Sequence, residues 1–279
     1  MKVFGDFWYA LRQSKGGLAG FIIIMITLLM AIFAPIIAPY HPEQAVPEAS
    51  RLAPSFDHLF GTDETGMDIF SRVVYAARID VTIAVVSTIF SLLIGVPIGL
   101  AAGYREGLFG EITMRIADVV QAFPVFILAM ALVSILGNNV QNIIFAIAFL
   151  NAPIYLRFVR SEVLSIKHRP FVEAARCAGM SNIKIMFKEL LPNSLKPALI
   201  QSSVNIGWAI MLTAGLSFIG AGVNVPTPEW GSMISIGAPL IITGQWWSSF
   251  FPGVAIGITV FGYALFGDFL RLYLDPERS

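Results

Sequence analysis

A chain that catalyses covalent chemistry needs a nucleophile beside a base, a set of converging metal ligands or a glycine loop around a phosphate. These 279 residues hold none of them at a workable spacing. Gly215-x-Ser217-x-x-Gly220 is not a G-x-S-x-G elbow, and no histidine lies in an apolar stretch to activate its serine. His41, His58 and His168 are far apart and share no metal-ligand spacing. A G-x-x-x-x-G-K-[ST] loop is missing, so this chain does not hydrolyse ATP by itself. The single cysteine, Cys177, excludes an internal disulfide or a CxxC site, and it reads as a small buried residue.

The informative chemistry lies in residues 162–195. Pro170 suits the first turn of a helix, where its missing N–H has no intrahelical partner. Gly179 suits the left-handed position that ends one, and Ser181 can cap a second helix that Pro192 stops. Glu173, Ala174, Ala175 and Ala178 put a thin surface of small residues beside one carboxylate, a shape that fits a groove offering Arg or Lys. Ile183, Ile185, Met186, Phe187 and Leu190 give the second helix an apolar side for packing on neighbouring helix ends. An ordinary amphipathic linker on a membrane surface has the same composition.

The elements that must hold this hairpin are apolar. Hydrophobic residues make up 56% of the chain and charged ones 13%, with a mean hydropathy of +0.76. A soluble domain carries roughly 25% charged residues. A core of this size cannot hide so much apolar surface, and a bilayer must cover the remainder. The net charge of zero argues against nucleic acid as a partner. About 20 apolar residues cross a bilayer as a helix, and six stretches qualify: residues 18–39, 79–103, 113–137, 141–161, 196–221 and 249–271. The first is too long for a signal-peptide core and reads as an uncleaved membrane helix. The expectation is an all-α membrane protein of six transmembrane helices.

Of the 18 Lys and Arg residues, all but Arg51, Arg72 and Arg78 fall on one side if the N-terminus is inside. That bias orients the chain with both termini cytoplasmic. The expected order is a cytoplasmic segment 1–17, a first helix 18–39 and an outer loop 40–78. A five-helix core 79–272 follows, containing the inner loop 162–195 and the outer loop 222–248, and then a tail 273–279. Gly137 to Val140 join the third and fourth spans in a tight hairpin. Gly95, Gly99 and Gly103 recur at four-residue spacing around Pro97, a pattern that lets two helices approach closely.

Polar residues inside the spans are few. Asn151, Gln201, Ser202 and Asn205 are candidates for lining a pathway. Phe218, Trp230, Trp246 and Trp247 mark the outer interface, with Phe218 a candidate gate. Asp118 and Asp268 each lie three residues from an arginine, Arg115 and Arg271, and read as helix-end ion pairs. Arg78 and Asp80 open the second span, either at the mouth of a pathway or on a solvated surface.

Glu173-Ala174-Ala175-x-x-x-Gly179, followed by Leu191-Pro192-Asn193, resembles the EAA loop of bacterial ABC importer permeases. The likeness extends further along the chain. Phe60-Gly61-Thr62-Asp63-Glu64-x-Gly66-x-Asp68 with Ser71-Arg72 resembles the segment before the second span of the "C" permeases for dipeptides, oligopeptides and nickel. Asp118 with Ala122-Phe123-Pro124 is similar to their third span, and Gly215 to Gly222 with Pro226-Thr227-Pro228-x-Trp230-Gly231 to their fifth span and the loop after it. Gly267-Asp268, Arg271 and Leu274-Asp275-Pro276 resemble their C-terminus. Met67 stands where the family usually has Arg, and Glu189 where it often has His.

The resemblance implies a type I ABC importer permease fold in the bacterial inner membrane. It implies an ATPase-coupling surface at Glu173, Ala174, Ala175, Arg176, Ala178 and Gly179. The implied partners are a homologous second permease subunit, two ABC ATPase subunits, a periplasmic or lipid-anchored substrate-binding protein and membrane lipid. This chain would bind no cofactor, ATP and Mg belonging to the ATPases. Di- and oligopeptides are the first expectation for cargo, ahead of nickel, glutathione, opines and sugars. A self-contained secondary carrier or channel is the alternative, and it would need more ion-binding residues in the spans than are present.

Overall fold

A computed structural model describes residues 2–105 and 107–274, and these are helical with irregular connections. Asp275, Pro276 and Arg278 of the tail lie outside them. Helix α1 (Lys2–Gln13) is followed at once by α2 (Lys15–Ile32), whose first turn is capped by the Ser14 hydroxyl accepting from the Gly17 N–H at 3.1 Å. Phe7 of α1 meets Phe269 and Tyr273 edge-on at 5.5 and 5.4 Å, so α1 lies along the last helix.

Helix α3 (Ile69–Tyr104) has 36 residues. At about 1.5 Å per residue it is about 54 Å long, well beyond a hydrocarbon core of about 30 Å. It starts ten residues before the span expected at 79, inside what reads in sequence as the 40–78 loop. Two local causes account for this. Asp68 caps it, accepting from the N–H and hydroxyl of Ser71 at 2.7 Å each. Ile69, Val73, Val74, Ala76 and Ala77 are then buried by segments distant in sequence. Arg72, which reads as a loop cation, is buried and donates to the carbonyls of Pro42 (2.7 Å) and Pro226 (3.2 Å).

The stretch expected to be one span, 113–137, is two helices. Helix α4 (Leu108–Ala122) and α5 (Val125–Leu136) meet at a bend of 92°. Pro124 explains the break, since proline disfavours helical geometry in the residue before it, and Phe123 is extended at φ −81°, ψ 141°. Among the described residues five helices are individually long and apolar enough to cross a membrane, or six if the bent pair counts as one span.

Helix α6 (Val140–Ile166) begins as expected after a tight turn, with Gly137 at φ +101° and the Asn139 side chain accepting from the Asn142 N–H at 2.9 Å. Helices α3 and α6 share the most extensive helix pairing in the molecule. In lipid no hydrophobic gain drives two helices together, so close approach and dispersion must do it. The glycines permit that approach. A Cβ at Gly99 would sit 2.5 Å from the Leu156 carbonyl oxygen, one at Gly103 would sit 2.8 Å from Val163 Cβ, and one at Gly95 would strike the Ala152 carbonyl. Helix α3 nevertheless runs on through Pro97.

After the hairpin of residues 170–194 described below, α8 (Lys196–Phe218) and α10 (Trp247–Leu274) complete the bundle, with α10 packed on both α2 and α8. Between them the 222–248 segment, a loop by sequence, contains helix α9 (Trp230–Gly237). Glu229 caps α9 with both carboxylate oxygens, accepting from Gly231 and Ser232 N–H at 2.8 and 2.7 Å. Trp230 is fully buried and donates its indole N–H to the Val73 carbonyl at 3.0 Å, while Trp247 donates to Thr62 at 3.2 Å. These two tryptophans are internal anchors, joining α9 to α3 and α10 to the segment that precedes α3, not members of an interfacial belt. Trp246 remains half exposed.

Candidate functional site

The hairpin sits at the end of the bundle where α3 and α6 terminate. Its first arm, α7 (Pro170–Cys177), has proline in its first turn, where the missing N–H has no intrahelical partner. The arm ends at Gly179, φ +75°, where Gly179 N–H donates to Arg176 O (2.9 Å) and Met180 N–H to Ala175 O (3.1 Å). Those two bonds form a Schellman stop, which needs a left-handed residue. A Cβ at Gly179 would meet nothing within 4 Å, so backbone conformation alone calls for glycine there.

The second arm departs from expectation. Ser181 precedes it in extended geometry, but no side-chain cap bond forms. A short α turn (Asn182–Lys184) leads into a π-helical turn (Ile185–Leu190), which gives way to Leu191–Ser194 with Pro192 in its first turn. Pro192 therefore does not stop the arm. The widened turn shifts the hydrogen-bond register so that the proline lies at a helix start, where its missing N–H is tolerated.

Burial divides the hairpin into an anchoring face and an open face. Val172, Ala175, Ile185, Met186 and Leu190 are buried in a core with Val96 and Leu100 of α3 and Val159, Val163 and Ile166 of α6. Glu173, Ala174, Arg176, Cys177, Ala178 and Gly179 are exposed. Two sequence readings change accordingly. Ala175 belongs to the anchor rather than the open surface, because it points inward one turn after Val172. Cys177 is exposed rather than buried, since it falls on the opposite side of α7. Of the apolar residues expected to pack on span ends, Ile183 and Phe187 are instead exposed, one turn apart, at 68% and 49%. The open face thus combines Glu173 and Arg176, joined at 3.1 Å, with small residues and two large apolar ones.

The polar residues of the spans divide differently. Asn151 and Asn205 are buried within this subunit, Gln201 donates to Asn205 Oδ1 at 2.9 Å, and both polar atoms of the Asn151 amide lack a protein partner. Gln201 also lines a recess of about 330 Å³ with Asp268 and Arg271. Phe218 is half exposed at the far end of α8 from the hairpin.

Asp118 does not pair with Arg115. Its carboxylate accepts from Arg157 at 2.6 Å, so the bridge links α4 to α6 instead of closing a turn of α4. The 92° bend after α4 swings that helix against α6 and makes the longer-range partner available. Asp118 lies among exposed apolar residues, Ile116 and Val119. An uncompensated charge is costly in such surroundings. Arg157→Ala is therefore expected to lower the yield of monodisperse protein extracted from membranes by about fivefold, with Asp118→Asn in the same chain restoring most of it. Size-exclusion profiles of the two variants check this.

Sequence reasoning missed the joint at the opposite end. Asp80 reads as a residue of a pathway mouth or a solvated surface, yet it is fully buried and accepts from the Trp230 N–H at 3.1 Å. Glu229 is also fully buried there. The one sequence signal for it is an acidic residue directly before an apolar run, the pattern of a helix cap. Among the described residues no three His, Cys, Asp or Glu side chains converge as a metal set.

Comparison with known proteins adds to this geometry. Residues 95–279 match the family described as binding-protein-dependent transport system inner membrane component. Residues 3–54 match the N-terminal TM domain of oligopeptide transport permease C. The chain is 40% identical over 269 residues to a dipeptide transport system permease protein of Alkalihalophilus pseudofirmus, covering 96% of this chain and 88% of that one. It is 37% identical to a di/tripeptide transport system permease protein of Pseudomonas aeruginosa (98% and 91% covered). It is also 37% identical to a glutathione transport system permease protein of Escherichia coli (98% and 90% covered). Among solved structures, an inward-facing MetNI methionine ABC transporter chain superposes with a TM-score of 0.59 at 21% identity, covering 73% of this chain and 96% of that one. That likeness concerns the fold.

Proposed function

The chain belongs to the binding-protein-dependent transport system inner membrane components, and from that premise we propose that it is the peptide-conducting half of an importer whose hairpin receives motion from a separate ATPase. As a member of the family it is a multi-pass ABC importer permease subunit. The relatives are named for dipeptides, di- and tripeptides and glutathione, so short peptides are the proposed cargo. This displaces the self-contained carrier or channel.

The observation that carries the coupling role is the open face of α7. Glu173, Ala174, Arg176, Ala178 and Gly179 take no part in the core of this subunit, while the other face of the same helix is anchored to α3 and α6. A surface that is exposed and backed by a packed face suits insertion into a groove. In the proposed complex the hairpin is cytoplasmic, as the Lys and Arg distribution favours. Two ATPase subunits bind ATP and Mg, a second permease encloses the path with this one, and a binding protein delivers peptide at the α9 end in a bacterial inner membrane. ATP binding draws the two hairpins together and rotates the spans as rigid bodies. Asn151, Gln201, Asn205 and Phe218 are proposed to lie along or near the pathway.

Cys177 gives a direct test because it is the chain's sole cysteine and lies exposed on α7. A membrane-impermeant maleimide is expected to label the permease in inside-out vesicles stripped of ATPase, and to leave right-side-out vesicles unlabelled. Adding the ATPase back should slow labelling by about tenfold, as expected of a thiol covered in an interface. Equal labelling with and without the ATPase would overturn the docking surface, and labelling from the other side would overturn the orientation.

A further inference from the structure

A docking surface transmits force only if it is stiffly joined to the spans, and a packed apolar face alone lets a short hairpin pivot. At the root of this hairpin one residue of α3 touches both arms. Tyr104, the last residue of α3, donates its hydroxyl to Asn182 Oδ1 at 2.8 Å, at the start of the second arm. The guanidinium of Arg176, on the first arm, lies over the Tyr104 ring at 5.8 Å from its centre. Arg176 is also the residue bonded to Glu173, and Tyr104 packs against the core beneath the hairpin.

We infer that Tyr104 is a positioning residue that locks the coupling hairpin to α3, so that displacement at Glu173 moves the long helix rather than tilting the hairpin. The inference rests on the coupling role proposed above. Its geometry is that of a three-point mount, with a directional hydrogen bond to one arm, a cation–π contact to the other and apolar packing below. The bond holds the second arm and the ring contact the first, and together they oppose rotation about the packed face. Helix α3 then carries the motion to α6 through the glycine seam.

The test uses the complete complex of both permeases, ATPases and binding protein in vesicles, in a Cys177→Ser background. A bimane reporter on Leu93→Cys, on the exposed side of α3, reads the ATP-driven movement, and ATP hydrolysis is measured in parallel. Tyr104→Leu is expected to keep hydrolysis while reducing the ATP-driven fluorescence amplitude about fivefold. Tyr104→Phe, which retains the ring and loses the bond, should reduce it about two- to threefold. Asn182→Ala should match Tyr104→Phe, and the double variant should be no worse than either single one, because both remove the same bond. Full amplitude in Tyr104→Leu, or additive losses in the double variant, would overturn the mount. Should Tyr104→Leu fail to assemble, the Phe and Ala variants decide by the same criterion. Glu173→Lys separates the two readings. If it retains full amplitude, the coupling role itself falls. If it loses amplitude while the Tyr104 variants keep theirs, the mount alone falls.

Discussion

Gly99→Leu is expected to cut the yield of intact protein from the membrane by about tenfold and to lower its melting temperature. The position lies at the centre of the α3–α6 seam, where a Cβ would be 2.5 Å from the Leu156 carbonyl oxygen and 3.0 Å from Leu156 Cα. Both obstacles are backbone, so no rotamer change clears them. Separating the helices far enough to admit the branch also pulls apart the contacts at Gly95 and Gly103 and the packing of Leu100 against Val159 and Val163. Overpacking of a well-packed core costs about 1–3 kcal/mol. Against rigid backbone the upper end applies, and about 3 kcal/mol is roughly a hundredfold in the ratio of folded to unfolded protein. Gly257→Ala on α10 is the control, since a Cβ there meets nothing within 4 Å. It should hold or slightly raise stability, because Ala is the better helix former by up to about 1 kcal/mol. Thermal-shift and size-exclusion measurements of the two variants check the pair. Equal melting temperatures would show that the seam does not hold the helices together.

Glu173→Lys is expected to abolish uptake while leaving the fold intact. The side chain is half exposed, and its pairing with Arg176 spans one turn of a short helix at the surface. Such pairs contribute at most about 1 kcal/mol, so the melting temperature should move by no more than about 2 °C. Function is a different matter. In a docked interface a carboxylate facing Arg or Lys becomes a cation facing a cation, and like charges brought together at an interface cost several kcal/mol. A loss of about 3–4 kcal/mol in docking corresponds to at least a hundredfold in affinity. ATP-driven peptide uptake in vesicles should fall to background, with the ATPase subunits no longer co-purifying. Uptake within about twofold of the unmutated complex would remove Glu173 from the coupling surface.

The two substitutions differ in kind, and sequence was informative about them in different ways. The Gly95-Gly99-Gly103 spacing announces a close helix contact because period and residue size are local properties. The partner, α6, is not local, and only the packed bundle identifies Ala152, Leu156 and Val163 as the surface the glycines meet. Likewise Pro170 and Gly179 delimit α7 from sequence alone, since each acts through its own backbone. Which side of α7 stays open depends on the helices it lands on. That is why Ala175 and Cys177, two residues apart, exchange the environments expected of them.

The apolar stretches and the boundaries of α7 follow from the sequence by itself, because hydropathy over about 20 residues and the turn preferences of Pro and Gly do not depend on distant neighbours. Tertiary structure decided which polar groups are hidden and what they touch. It buried Arg72, Asp80 and Glu229, paired Asp118 with Arg157, turned Trp230 and Trp247 inward and drew Tyr104 beneath both arms of the hairpin. A polar side chain's fate is set by the element that comes to cover it, and in this bundle that element is almost always far away along the chain.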